Sequence, residues 1–133
     1  MKIATVVYWI ARLLAAVIML QTLFFKFTAS AESVYIFTTV GMEPWGRIGV
    51  GVMELIAAIL IVVPATAWLG AGLALGLMVG ALGMHLTLLG IEVQGDHGYL
   101  FGLALAVTLC SIYVLIHDKD KILSRIRSLQ KAS

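Results

Sequence analysis

Four apolar runs, each long enough to cross a bilayer, leave little of this chain for anything else. They extend from Ile3 to Phe25, from about Gly46 to Pro64, from Trp68 to about Ile91, and from Gly98 to Ile116. As a helix the first would span about 34 Å, against a hydrocarbon core of about 30 Å. Lipid offers the backbone no hydrogen-bond partners, so segments of this kind fold as helices. Hydrophobic residues make up 62% of the 133 and charged residues 12%, whereas a soluble domain carries roughly 45–50% and about 25%. A water-soluble fold of this size has too little interior for that many apolar side chains. The expected fold is all-α: an integral membrane bundle of four transmembrane helices, forming one domain over residues 1–133. Cys110 is the single cysteine, which excludes an internal disulfide and two-thiol redox chemistry. A net charge of +2 is too small to point to nucleic acid.

Charge placement sets the expected orientation. The tail from residue 118 to 133 carries Lys119, Lys121, Arg125, Arg127 and Lys131 against Asp118 and Asp120, so the positive-inside rule puts it in the cytoplasm. Four crossings return the amino terminus to the same side, in agreement with Lys2. The loops assigned outside are weakly acidic, with Lys26, Glu32 and Glu43 in the first and Glu92 and Asp96 in the second. The expected location is thus a bacterial inner membrane with both termini cytoplasmic. A rival reading makes the first span a secretory signal cleaved near Ala29, Ser30 and Ala31; Arg12 interrupts its apolar region, and the run is longer than the usual 7–15 residues.

The longest connection, Phe27 to Trp45, reads as structured. Ser30 can cap a short helix to Val40, with Gly41 as terminator and Pro44 barring extension. Val34, Tyr35, Phe37 and Val40 give it an apolar side suited to the membrane interface. The tail reads as an amphipathic helix, with Ile122, Ile126 and Leu129 on one face, lying on the inner leaflet. Gly72, Gly76 and Gly80 in span three, and Gly98, Gly102, Ala106 and Cys110 in span four, form small-residue stripes expected at helix interfaces, or alternatively along a ligand groove.

Ionisable residues within the spans carry the functional expectation, because each costs about 2.5–3.5 kcal/mol to insert. Counting residues places Arg12 and Glu54 at nearly the same depth on antiparallel spans. They are therefore expected to meet as a buried ion pair, either to specify the fold or to serve a ligand. His85 stands nearer the outer surface, and Arg47 lies two helical turns from Glu54 on the same face. With Lys26 at the outer boundary and Gln21 as a neutral neighbour, these residues outline a polar column from the outer mouth to mid-bilayer. The alternatives are that Lys26 and Arg47 snorkel to headgroups and that His85 serves only a carbonyl. His97 and His117 read as interfacial and solvent-facing. One buried imidazole and one carboxylate at different depths fall short of a zinc site, and no pair of histidines shares a depth for haem. With no catalytic constellation and no metal site expected, a self-contained enzyme is not the reading.

The pattern resembles the DoxX family of small four-helix membrane proteins. The resemblance is carried by Arg12, Leu13 and Leu14; by the run Leu23 to Thr28 containing Lys26; by Gly41 to Arg47; by Gly51 with Glu54 and Leu55; and by His85 to Ile91. It covers nearly the whole chain except the tail. Thr22 or Leu23 stands where the family has a small residue shortly before the lysine. The resemblance implies association with membrane redox systems such as a quinol oxidase or a thiosulfate:quinone oxidoreductase, and, in distant relatives, a chaperone role in receptor assembly. On this basis the expected function is an accessory or quinone-interacting subunit of a membrane oxidoreductase system. Arg12, Glu54 and His85 would hold a quinone or other polar-headed lipid, with Arg47 and Lys26 at the entrance. No other cofactor is expected. Expected partners are the bilayer, a redox enzyme and a second copy of the chain; a non-catalytic assembly module and a small transporter are the alternatives.

Overall fold

The computed structural model describes residues 2–132, and all regular structure among them is helical. Helix α1 spans Ile3–Phe27, α2 Ala31–Thr39, α3 Trp45–Val62, α4 Ala67–Met84, α5 Tyr99–His117 and α6 Lys119–Ala132. A 3-10 turn at Pro64–Thr66 joins α3 to α4, and a single π-helical turn at His85–Leu89 extends α4. Four of these segments are long and apolar enough to cross a membrane: α1, α3, α4 with its two flanking turns, and α5. The protein is a multi-pass membrane protein by that measure. Its outward face agrees, since Ile10, Val17, Phe24, Ile59, Val79 and Leu109 are all exposed.

The four long helices run up and down in chain order and close into a ring, α1 beside α3, α3 beside α4, α4 beside α5, and α5 beside α1. One end of the bundle therefore carries the start of α1 and the end of α5, with the start of α6 and the Pro64 turn. The other carries α2 and the loop after His85. We call these the terminal end and the loop end.

Packing is tightest toward the terminal end, where small residues replace bulky ones. Ala15, Ala57, Ala67, Ala71, Ala74, Val107 and Val114 are fully buried, and association in lipid depends on such close backbone approach. Gly70 marks the closest point: a Cβ there would lie 2.4 Å from the Ile61 nitrogen and 2.8 Å from the Ala57 oxygen. The predicted stripe at Gly72, Gly76 and Gly80 does not form an interface. All three are exposed, and a Cβ on any of them would meet nothing within 4 Å. Gly102 is equally open. The alanine row offset from those glycines takes the interface instead. Because a methyl group already permits close approach, glycine spacing alone could not tell the buried face from the open one.

At the loop end, α2 begins at the Ser30 cap, whose hydroxyl oxygen accepts from the Ser33 N–H at 3.2 Å. It ends at Thr39, one residue short of the expected Val40. Phe37 turns inward and is buried. The loop before α5 is organised by Asp96, whose carboxylate accepts from the backbone N–H groups of Val93, Gly98 and Leu100 at 3.0, 2.9 and 3.1 Å.

Candidate functional site

Between the four long helices, in the half toward the loop end, lies a cavity of about 300 Å³. Its walls are mainly apolar, with Ile18 and Met19 from α1, Val50 from α3, Leu77 and Met78 from α4, and Leu103 and Val107 from α5. Phe37 and Val40 border it from the α2 side. Its polar lining is confined to Thr22, Lys26, Ser33, Glu54 and His85.

The Lys26 ammonium lies 2.7 Å from Glu54 Oε1, with side-chain exposures of 17% and 2%. Thr22 donates its hydroxyl proton to the other carboxylate oxygen. The ion pair is thus hydrogen-bonded on both carboxylate oxygens, the condition under which a buried charge is tolerated. Across the cavity His85 opens the π-helical turn, a distortion often found at functional positions. Its Nδ1 lies 3.0 Å from the Gly90 carbonyl oxygen, and its ring meets Phe101 edge-on at 5.6 Å. Gly90 can present that carbonyl because its φ of 81° is readily adopted by glycine.

Arg12 does not pair with Glu54. Its Nε donates to the Ile61 carbonyl at 2.8 Å and its Nη2 to the Val62 carbonyl. The guanidinium also sits 4.2 Å from the Trp9 ring centre and 4.9 Å from that of Tyr8, within cation–π range. The reason lies in side-chain direction. Helical side chains lean toward their own amino terminus, so on antiparallel helices Arg12 leans to the terminal end and Glu54 to the loop end. Equal Cα depths therefore carry the two groups apart. Lys26 leans down from the end of α1, and Glu54 reaches up to meet it.

Arg47 lies outside the cavity lining. Its Nε faces both carboxylate oxygens of Glu43 at 2.9 and 3.0 Å, and its Nη1 donates to the Lys26 carbonyl. It is buried and does not snorkel. The expected column is thus divided: Lys26, Glu54 and His85 share the cavity, while Arg12 and Arg47 close helix ends. Gln21, expected as a neutral neighbour, is exposed, and the adjacent Thr22 takes the polar role. Thr22 was legible only through its spacing of four from Lys26, which places both on one face.

A second polar group at the terminal end was missed in the sequence. Tyr8 donates to Asp118 Oδ2 at 2.8 Å, and Asp118 Oδ1 lies 3.0 Å from His117 Nδ1. The His117 ring stacks on Tyr8 at 3.8 Å, so this residue is not simply turned to solvent as expected. Tyr113 donates to the Ala4 carbonyl at 3.0 Å. Together these contacts fasten α5 to the start of α1.

Gly76 and Gly80 line the cavity and are themselves exposed. Their place in the cavity lining agrees with the ligand-groove alternative for the span-three stripe. Chemically the chamber offers a neutralised ion pair, hydroxyl groups and an imidazole at separate points of an apolar volume. That combination suits an amphiphile with a compact polar head. Among the described residues no cluster of three or more histidine, cysteine or acidic side chains could hold a metal. No family model, curated protein or solved structure matches the chain.

Proposed function

We propose that this protein binds a polar-headed lipidic molecule of the quinone type inside the membrane and serves as an accessory or quinone-interacting subunit of a membrane oxidoreductase system. The observation that carries the reading is the cavity, with its paired Lys26 and Glu54, its opposed His85 and the small Gly76 and Gly80 in its lining. A ligand already dissolved in the bilayer can reach a cavity between membrane-spanning helices without crossing water. The resemblance to the DoxX family, carried by Lys26, Glu54 and His85 among others, supports the redox association. The protein sits in a bacterial inner membrane with both termini cytoplasmic, a placement supported by the basic residues of α6. Ile126 and Leu129 are exposed on that helix and suit the inner leaflet, and α2 suits the outer interface.

Mass spectrometry of the organic extract from purified protein tests the binding. A quinone or a single lipid class retained in near-stoichiometric amount supports it, and bulk lipid in bulk proportion overturns it. The open glycine face of α4 also favours contact with another protein's helix, as an assembly module would make. Native isolation from membranes separates the two: a stable partner with a flavin, haem or iron–sulfur centre supports the redox subunit, and varied unassembled clients support the assembly module.

A further inference from the structure

Building on the proposed ligand site, we infer that His85 makes the cavity selective for the reduced, hydroxyl-bearing form of its ligand. The Gly90 carbonyl can only accept a hydrogen bond, so the His85 Nδ1 that lies 3.0 Å from it carries the proton. In the neutral ring this leaves Nε2 as an acceptor. Among the described residues no protein donor meets Nε2, and His85 lines the cavity. A ligand must therefore bring a donor to this wall. The opposite wall is complementary: the Lys26 ammonium has N–H groups beyond the one directed at Glu54, and these can donate to a ligand oxygen.

A pair of hydroxyl groups meets both demands, one donating to His85 at one end of the head and the other accepting from Lys26 at the opposite end. A quinone carbonyl accepts only, so at the imidazole it places oxygen lone pair against nitrogen lone pair. The salt bridge leaves no net charge between Lys26 and Glu54, so neither an anionic nor a cationic head finds an uncompensated partner at that wall. The chemical class is an uncharged amphiphile with hydroxyl groups on opposite sides of a small head, as in an alkyl-tailed hydroquinone.

The test compares three probes binding anaerobically to the full chain in lipid nanodiscs: an alkyl-tailed hydroquinone, its quinone and its dimethyl ether. The quinone and the ether both lack the donor but differ in size, so bulk cannot explain a common loss. We expect the hydroquinone to bind about tenfold more tightly than either. His85→Phe should bind all three equally. His85→Gln, whose side-chain oxygen accepts, should restore the preference. Equal affinity of wild-type protein for the three probes overturns selectivity while leaving the ligand site standing. Binding of none of them overturns both. The wild-type comparison stands even if a His85 variant fails to fold.

Discussion

Arg12 and Arg47 perform the same task at opposite ends of one helix pair. Arg12 on α1 donates to the last carbonyls of α3, and Arg47 on α3 donates to the Lys26 carbonyl at the end of α1. A helix ends with unsatisfied carbonyls and a partial negative charge, and a guanidinium answers both. At the end of α3 the satisfaction is extensive. Thr66 donates its hydroxyl to the Leu60 carbonyl at 2.8 Å and its N–H to that of Val63 at 3.1 Å, while Arg12 covers the two between. The helix can therefore stop at Val62, within the apolar part of the chain, without stranding polar backbone.

Removing the Arg12 guanidinium should cost stability without affecting Glu54. Arg12→Met is expected to destabilise the protein by about 2–4 kcal/mol, through loss of charged hydrogen bonds to buried carbonyls. A double-mutant cycle between positions 12 and 54 should give coupling below about 0.5 kcal/mol. Thermal or denaturant unfolding in detergent measures both.

Lys26 and Glu54 should couple strongly. Glu54→Ala leaves the ammonium facing an apolar cavity and is expected to cost about 3–5 kcal/mol, with substantial recovery on adding Lys26→Met. A cycle with coupling near zero would count against the ion pair as the organising contact of the cavity.

Glycine substitutions should separate the closed and open faces of α4. Gly70→Ala forces a methyl group into the backbone of α3 and is expected to destabilise by about 1–3 kcal/mol. Gly80→Ala meets open space and should be neutral or stabilising by up to about 1 kcal/mol through helix propensity. Comparing their melting curves with wild type checks the direction of each.

The loop-end carboxylates should respond to pH in opposite senses. For Asp96, desolvation pushes the pKa up, but the hydrogen bonds from the backbone N–H groups of Val93, Leu100 and Gly98 outweigh it, and the group lies below the usual aspartate value. A depressed folded pKa adds stability above the unfolded value of 3.8 and loses it as pH falls through the folded value. For Glu32, desolvation and then nearby Asp96 raise the pKa above 4.5. Its contribution is most favourable below 4.5 and is lost as pH rises through the folded value. Glu32→Gln should therefore help most at neutral pH, whereas Asp96→Asn should cost stability there and converge with wild type in acid. Melting curves between about pH 3 and pH 7, which bracket the carboxyl titrations, test the contrast.

The four crossing helices were legible because apolar length in a membrane protein reports directly on span. Pro64 likewise marked the end of α3, and Ser30 the start of α2. The polar contacts were less accessible, because residue counting locates Cα atoms whereas ion pairs form between side-chain tips. Arg12 and Glu54 have compatible backbone depths and opposed side-chain directions; Lys26 and Glu54 show the reverse. The Tyr8, His117 and Asp118 group was hidden for another reason. Tyr8 and Asp118 lie 110 residues apart along the chain, and nothing in local spacing signals that the last span returns to the first.

That return has a consequence for how the protein is made. Tyr8 enters the membrane with the earliest segment, yet its carboxylate partner is synthesised only after the fourth crossing is complete. Until that crossing is made, α1 has α3 on one flank and no α5 on the other, and the chamber lacks a wall. A nascent chain halted before Tyr99 should thus remain an open row of helices, available to an insertion factor, and only the arrival of α5 can shut the ring.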